Sequence, residues 1–176
     1  MSGHNKWSQI KHQKGKTDAQ KSRAFSKLGK LITDEAKKAK GNREAPGLKS
    51  AIEKAKAANM PADTIDRAIT KATTDNSGAM DSILYEAYGP GGCAMIIDIL
   101  TTNRNKAAQE IKHILAGHGI SLAAIGSASW AFKKSHDGWT AETTVPLSET
   151  DIAELEKIVE ELETQEDVQD IFTNAE

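Results

Sequence analysis

From Phe25 through Leu28, Ile32, Ala36 and Ala39, apolar residues recur at intervals of three and four, the spacing that lines one face of an α-helix. Thr17-Asp18-Ala19-Gln20, just ahead of this stripe, fits a capping box, in which the threonine and glutamine side chains satisfy backbone donors that a helix start leaves unpaired. "GNRE" ends this helix. Pro46 opens a second, with Leu48, Ala51, Ile52 and Ala55 on its buried face, and Pro61 opens a third, with Ile65, Ala68, Ile69 and Ala72. After "TTDNSGAMD", which reads as a linker, the period falls from 3.6 to about 2. "SILYEAY" and "CAMIIDIL" read as strands joined by "GPGG". Asn103 caps a helix running to about Leu115, and "SASWAFKK" and "WTAETTV" read as strands around the loop "SHDG". A helix from about Glu149 to Glu163 and a strand "DVQDIFT" close the pattern.

The pattern predicts an α+β protein in three parts. Residues 1–16 show no period and are punctuated by Gly3 and Gly15, which predicts a flexible basic arm. Residues 17–73 form a basic three-helix domain with an alanine-rich core holding one phenylalanine. Residues 80–176 form an α+β domain, acidic at its C-terminal end. With the first strand set aside, its order is strand-helix-strand-strand-helix-strand, the split βαβ or ferredoxin-like arrangement with one extra leading strand.

Charge sharpens this division. The net charge is -2, yet residues 1–72 hold 17 Lys and Arg against 7 Asp and Glu, whereas residues 73–176 hold 6 against 18. Most of the acidity lies in residues 140–176, with 1 cation against 12 acids. So one-sided a basic block points to a polyanionic partner, because each ammonium beside a phosphate releases a condensed counterion. The longest apolar run, Cys93 to Leu100, is broken by Asp98, and the first twenty residues hold no leader-like apolar stretch. The expectation is a protein of the cytosol or an organelle matrix, with no membrane partner and a monomeric state favoured. Cys93 is the only cysteine, so neither a disulfide framework nor a thiolate zinc site can form, and a buried small hydrophobe is its expected role.

The candidate contacts to nucleic acid follow from this charge. In the arm, His4, Lys6, Trp7, Lys11, His12, Lys14 and Lys16 combine cations with an indole that can stack on an unpaired base; docking of Trp7 on its own protein stays open. On the first helix, Arg23, Lys27, Lys30, Lys37 and Lys38 fall opposite the apolar stripe with only Asp34 among them, and Lys21 adds to the same segment. Arg67 and Lys71 stand one turn apart beside the buried face of the third helix. Asn103, Arg104 and Lys106 open the helix after "CAMIIDIL", where cations run against the usual preference for acids. Either a phosphate completes a site there from backbone donors and cations, or Asn103 is a plain cap with solvated neighbours. "YEAYGPGGCA" lacks the Gly-Lys-Ser/Thr of a phosphate loop and reads as a tight turn, with an exposed binding tip as the alternative. No nucleophile elbow or metal-ligand spacing occurs, so neither a catalytic residue nor a metal or cofactor is expected, and the chain does not read as an enzyme.

In order and at these intervals, "GHNKWSQIKHQKGKTDAQKSRAFSKL", "RAI", "YEAYGPGG", "TTNRNK", "AETTVPL" and "DVQDIFTNAE" resemble the YebC/PmpR-like family. The resemblance implies a gene-expression regulator, described in that family both as a DNA-binding transcription regulator and as a ribosome-associated translation factor that relieves difficult stretches such as consecutive prolines. It implies that Gly3, His4, Lys6, Trp7, Ile10 and Lys11 form the functional arm, and that Tyr85 to Gly92 and Thr102 to Lys106 are family surfaces. Typical members carry a third globular domain between the strands near Lys133 and Trp139, where this chain has a few loop residues, so it resembles a short variant. The leading expectation is an RNA- or ribosome-binding translation factor, with a duplex-DNA regulator as the alternative. The basic block holds 14 lysines and 3 arginines, and lysine, a point charge, discriminates bases poorly, which suits backbone-dominated binding.

Overall fold

The computed structural model describes residues 17–135 and 138–176. They divide into two compact units, one ending at Asp81 and the other running from Ser82 to Glu176.

The first unit holds α1 (Asp18–Lys38), α2 (Pro46–Ala57) and α3 (Ala62–Thr74). The capping box is present: Thr17 N–H donates to Gln20 Oε1 at 2.8 Å and Gln20 N–H to Thr17 Oγ1 at 3.2 Å. Ile32 and Ala36 of α1 meet Leu48, Ala51, Ile52 and Ala55 of α2 and Ile65, Ile69 and Ala72 of α3 in one core, completed by Met60 from the connection. The coil after α3 does not run free. Lys37 Nζ donates to Ser77 Oγ at 2.6 Å, to Ser77 O at 3.2 Å and to Asp75 Oδ2 at 3.3 Å, and Met80 N–H donates to Asp34 Oδ1 at 3.3 Å. Asp34 is only 1% exposed and lies 2.6 Å from Lys38 Nζ. It is a buried anchor for this coil and not a charge diluting a solvated face.

The second unit is built from β1 (Asp81–Tyr88), β2 (Ala94–Thr101), α4 (Arg104–Gly117), β3 (Leu122–Ala123), β4 (Phe132–Ser135), β5 (Gly138–Ala141), α5 (Glu149–Glu163) and β6 (Val168–Thr173). Four strands form one sheet in the order β3-β1-β2-β6, and β4 and β5 form a second, two-stranded sheet. β3 pairs antiparallel with β1 and β6 with β2, placing Ile96 opposite Phe172 and Ile97 opposite Ile171. β2 is the central element: a nearly unbroken apolar run, as a strand covered on both faces must be. Met95, Ile97 and Ile99 point to one core with Ile111 and Leu115 of α4 and Leu155, Ile158 and Leu162 of α5. Ala94 and Ile96 point the other way, against Ala128, Ala131, Phe132, Trp139, Ala141 and Phe172.

The class is the expected one, a helical N-terminal region followed by an α+β unit with an antiparallel sheet, but the pairing of strands departs from the split βαβ arrangement. β1 is not an appendage; it sits inside the sheet beside β2, and the β4–β5 ribbon covers the second face instead of joining the edge. The physical cause lies in β2, whose two alternating sets of residues are both apolar apart from Asp98, so its second face needs a cover that the two helices cannot supply. "SASWAFKK" is a strand only from Phe132 onward; Ser129–Ala131 is a 3-10 turn. "GPGG" is the expected turn, with Gly91 at φ 65° and Gly92 at φ 78°, and Gly89 N–H donating to Cys93 O at 2.8 Å. Cys93 is fully buried, and burial pushes its thiol up to about 11. Among the described residues no helix is long and apolar enough to cross a membrane.

The ribbon reaches the sheet through Gly138 (φ 122°), where an added Cβ would stand 2.5 Å from the ring of Phe172; at Gly92 it would meet nothing within 4 Å. Gly92→Ala should therefore cost only the backbone strain of positive φ, about 1–2 kcal/mol, and Gly138→Ala distinctly more. Urea midpoints of the two variants check this; an equal loss would mean that the ribbon does not seal against β6.

Candidate nucleic-acid interface

The arm residues His4, Lys6, Trp7, Lys11, His12, Lys14 and Lys16 lie outside the described residues. The described part of the basic segment begins on α1, whose stretch from Ala19 to Thr33 carries four cations and no acid. Lys21 and Arg23 are exposed, and Lys27 and Lys30 are half-buried. Arg23, Lys27 and Lys30 share an arc of about 60° at 100° per residue. Lys37 and Lys38, expected to extend this face, are engaged within the unit. Lys37 is held by Asp75 and Ser77 with its side chain 12% exposed, and Lys38 lies between Asp34 at 2.6 Å and Glu35 at 3.1 Å. Burial works against the charge of Lys38, but the two carboxylates outweigh it and its pKa is raised. The cationic face of α1 is thus its N-terminal half. Lys38 pairs at ordinary helical spacing, but sequence spacing could not show the capture of Lys37, because Asp75 becomes its partner only when the coil folds back.

On α3, Arg67 and Lys71 are exposed. The Arg67 guanidinium lies along its own helix, donating to Asp63 O at 3.3 Å and Thr64 Oγ1 at 3.4 Å. At the start of α4, Asn103 accepts from Lys106 N–H at 3.1 Å, so the plain cap is present. Its own N–H donates to Thr101 Oγ1 at 2.9 Å, and that hydroxyl donates to Asp167 Oδ2 at 2.7 Å. Arg104 and Lys106 are exposed, with Lys106 Nζ 3.8 Å from Glu110 one turn on.

Sequence spacing alone does not reveal two polar constructions in the second unit. Glu86 on β1 is buried and accepts from the N–H groups of Gly126 at 2.7 Å, Ala128 at 2.7 Å and Ser129 at 2.8 Å. Burial alone would raise its pKa; the three amides prevail and hold it below the usual carboxylate range. His118, just past α4, is gripped by Glu154 (Nδ1, 2.9 Å) and Glu161 (Nε2, 2.8 Å) of α5, and these carboxylates raise its pKa. His118 and Glu154 also line a cavity of about 480 Å³ together with Tyr88, Gly89 and Ser121. The one hint of Glu86 is its place in "LYEAY", where strand alternation aims it away from the side of Tyr85 and Ala87.

A basic helical unit followed by an α+β unit with a two-sided central strand defines the architectural class. Residues 5–75 match the TACO1/YebC protein N-terminal domain, and residues 80–136 match the TACO1/YebC second and third domain. The chain is 44% identical to a probable transcriptional regulatory protein of Petrotoga mobilis, over 98% of this chain and 70% of that one. It is 42% identical to a probable transcriptional regulatory protein of Halothermothrix orenii, over 93% and 63%. A crystal structure of a conserved hypothetical protein from Aquifex aeolicus superposes with a TM-score of 0.80 at 29% identity, covering 97% of this chain and 96% of that one. The chain belongs to the TACO1/YebC family. It spans 55% of the length of the related probable transcriptional regulatory protein from Thermoanaerobacter pseudethanolicus, at 50% identity.

Glu86→Ala should leave the three amides without their acceptor and destabilise the second unit by about 1–3 kcal/mol or more, read as a shift in the urea midpoint at neutral pH; no shift would mean that water replaces the carboxylate. The His118 clasp makes a pH prediction. Because the folded pKa is raised, its contribution is complete below about 6.5, the ordinary histidine value, and disappears as pH rises through the folded value. Wild-type stability should therefore fall with pH above that point by an increment that His118→Asn lacks, and parallel pH profiles for the two proteins would remove the clasp from the account.

Proposed function

We propose that this chain is a nucleic-acid-binding regulator of gene expression that engages RNA, with the ribosome as the leading target, through residues 1–16 and the N-terminal half of α1. The observation that carries this reading is the acid-free stretch of α1, with Lys21 and Arg23 exposed in a part of the chain, residues 1–72, that holds 17 cations against 7 acids. Its lysine-rich composition supports contact with phosphates rather than readout of base edges in a duplex groove. Relief of stalled translation, consecutive prolines included, is the role the family resemblance suggests within this reading. Asn103, Arg104 and Lys106 supply a second contact in which the capped start of α4 presents backbone donors and two cations to a phosphate. The acidic α5 region repels the polyanion and so orients the chain upon it.

A second reading, regulation of transcription through duplex DNA, is favoured by the names of the relatives, which are called probable transcriptional regulatory proteins. Sedimentation with ribosomes, set against titration with random duplex DNA at matched salt, separates the two. Binding should fall steeply with salt. Replacing Lys21 and Arg23 together by alanine should flatten the dependence of log K on log salt by about 0.7–0.9 for each phosphate that is no longer neutralised. Lys37→Ala should leave that slope alone, because Lys37 is tied to Asp75 and Ser77. A slope unchanged by the double variant would remove α1 from the interface.

A further inference from the structure

Residues 111–136 contain no Asp or Glu, although they lie in the acidic half of the chain, and they carry Lys112, Lys133 and Lys134. Within this stretch stands the most exposed aromatic surface of the described residues. Trp130 is 61% exposed and Tyr88, beside it, 40%. Both rings are held by their polar ends: Trp130 Nε1–H donates to Tyr88 Oη at 3.1 Å, and Tyr88 Oη–H donates to Ser127 O. Ser127 itself lies in the loop that Glu86 clamps by three amides on either side of it. Phe132 then turns inward to the core, which fixes the chain immediately after Trp130.

We propose that Trp130 and Tyr88 form a stacking platform for an unpaired base of a single-stranded nucleic acid, with Lys133 and Lys134 taking the adjoining phosphates. The polar atoms of the two rings are occupied within the chain, so a partner meets them chiefly through their π faces, and such faces accept flat nucleobases or cations. Lys133 and Lys134 are both exposed on β4 and follow Trp130 by three and four residues, at most about 10–14 Å of chain. They repel a cationic partner and attract an anionic backbone. Glu86, on the same strand as Tyr88, has its charge turned inward onto amides. A braced ring also loses little conformational freedom when a base settles on it, which favours stacking of a single strand. Ile125, 94% exposed in the same loop, is a single aliphatic side chain and does not extend the platform into a protein-sized apolar face.

This inference rests on the proposed nucleic-acid reading, and its test separates the two. The full chain is titrated with a labelled oligouridylate and with a blunt RNA duplex carrying the same number of phosphates. Trp130→Ala should weaken binding of the single strand about 5- to 150-fold, the range expected for loss of one stacked base, and leave duplex binding and the salt slope unchanged. Trp130→Phe, which keeps a ring, should restore most of the affinity. Replacing Lys133 and Lys134 by alanine should flatten the single-strand salt slope. Thermal melts of each variant confirm that the fold is retained. If the unaltered chain binds while Trp130→Ala loses nothing, or loses equally on both probes, the platform reading is overturned and the aromatic surface is left to a protein partner. Binding of neither probe by the unaltered chain overturns this inference together with the reading beneath it.

Discussion

β2 must be covered on both faces, and the architecture of the second unit follows from that requirement. Its residues from Ala94 to Leu100 are apolar in both alternating sets, except for Asp98, so a sheet with helices on one side alone would leave Ala94 and Ile96 in water. α4 and α5 cover the side of Met95, Ile97 and Ile99; Phe132, Trp139 and Phe172 cover the other. The chain end is drawn into the same arrangement. Buried Asn174 accepts from Ala94 N–H at 2.7 Å through its side chain and donates to Thr143 O at 2.9 Å, joining β2 to the segment after the ribbon. At roughly 25 cal/mol per Å² of apolar surface, the two-sided burial of a single strand outweighs any one polar contact in the unit. The exposed features of the second face, Trp130 among them, stand where they do because the ribbon is pressed against β2.

In the helical unit the comparable constraint is electrostatic. The cations on α1 fall into two groups along the helix, one with acids beside it in the sequence and one without. The C-terminal pair, Lys37 and Lys38, is neutralised by Asp75, Asp34 and Glu35. Asp75 is held well below the usual carboxylate range, at about 2, first by Ser77 and then by Lys37. The N-terminal group lies on a stretch, Ala19 to Thr33, that holds no acid of its own. A helix that looks uniformly basic therefore has one half that fastens the following coil and another half that leaves Lys21 and Arg23 exposed.

Much of this was legible in the chain. The capping box of α1, the prolines opening α2 and α3, the Asn103 cap and the apolar stripes rest on local geometry, and each appears at or near its expected position. The turn at "GPGG" was legible for the same reason, since Gly91 and Gly92 adopt the positive φ that glycine tolerates. What failed was long-range. The strand expected over "SASWAFKK" starts only at Phe132, because Glu86 of β1 gathers the amides of Gly126, Ala128 and Ser129 into a loop. The sheet partners expected of a split βαβ unit were wrong in detail because strand alternation reports that a residue is buried, but not what buries it.

The sequence by itself determined the helices with their caps, the long strands, the α+β class and the opposition of a basic half to an acidic one, because each of these depends on residues a few positions apart or on sums over the chain. Only the tertiary structure decided that Lys37 of α1 is tied down by the following coil, which strand lies beside β2, and that Tyr88 and Trp130 share one hydrogen-bonded surface. Those outcomes depend on pairs of residues far apart in the chain, whose meeting is set by the competition to cover β2 and to satisfy buried acids such as Asp34 and Glu86, and no local spacing records it.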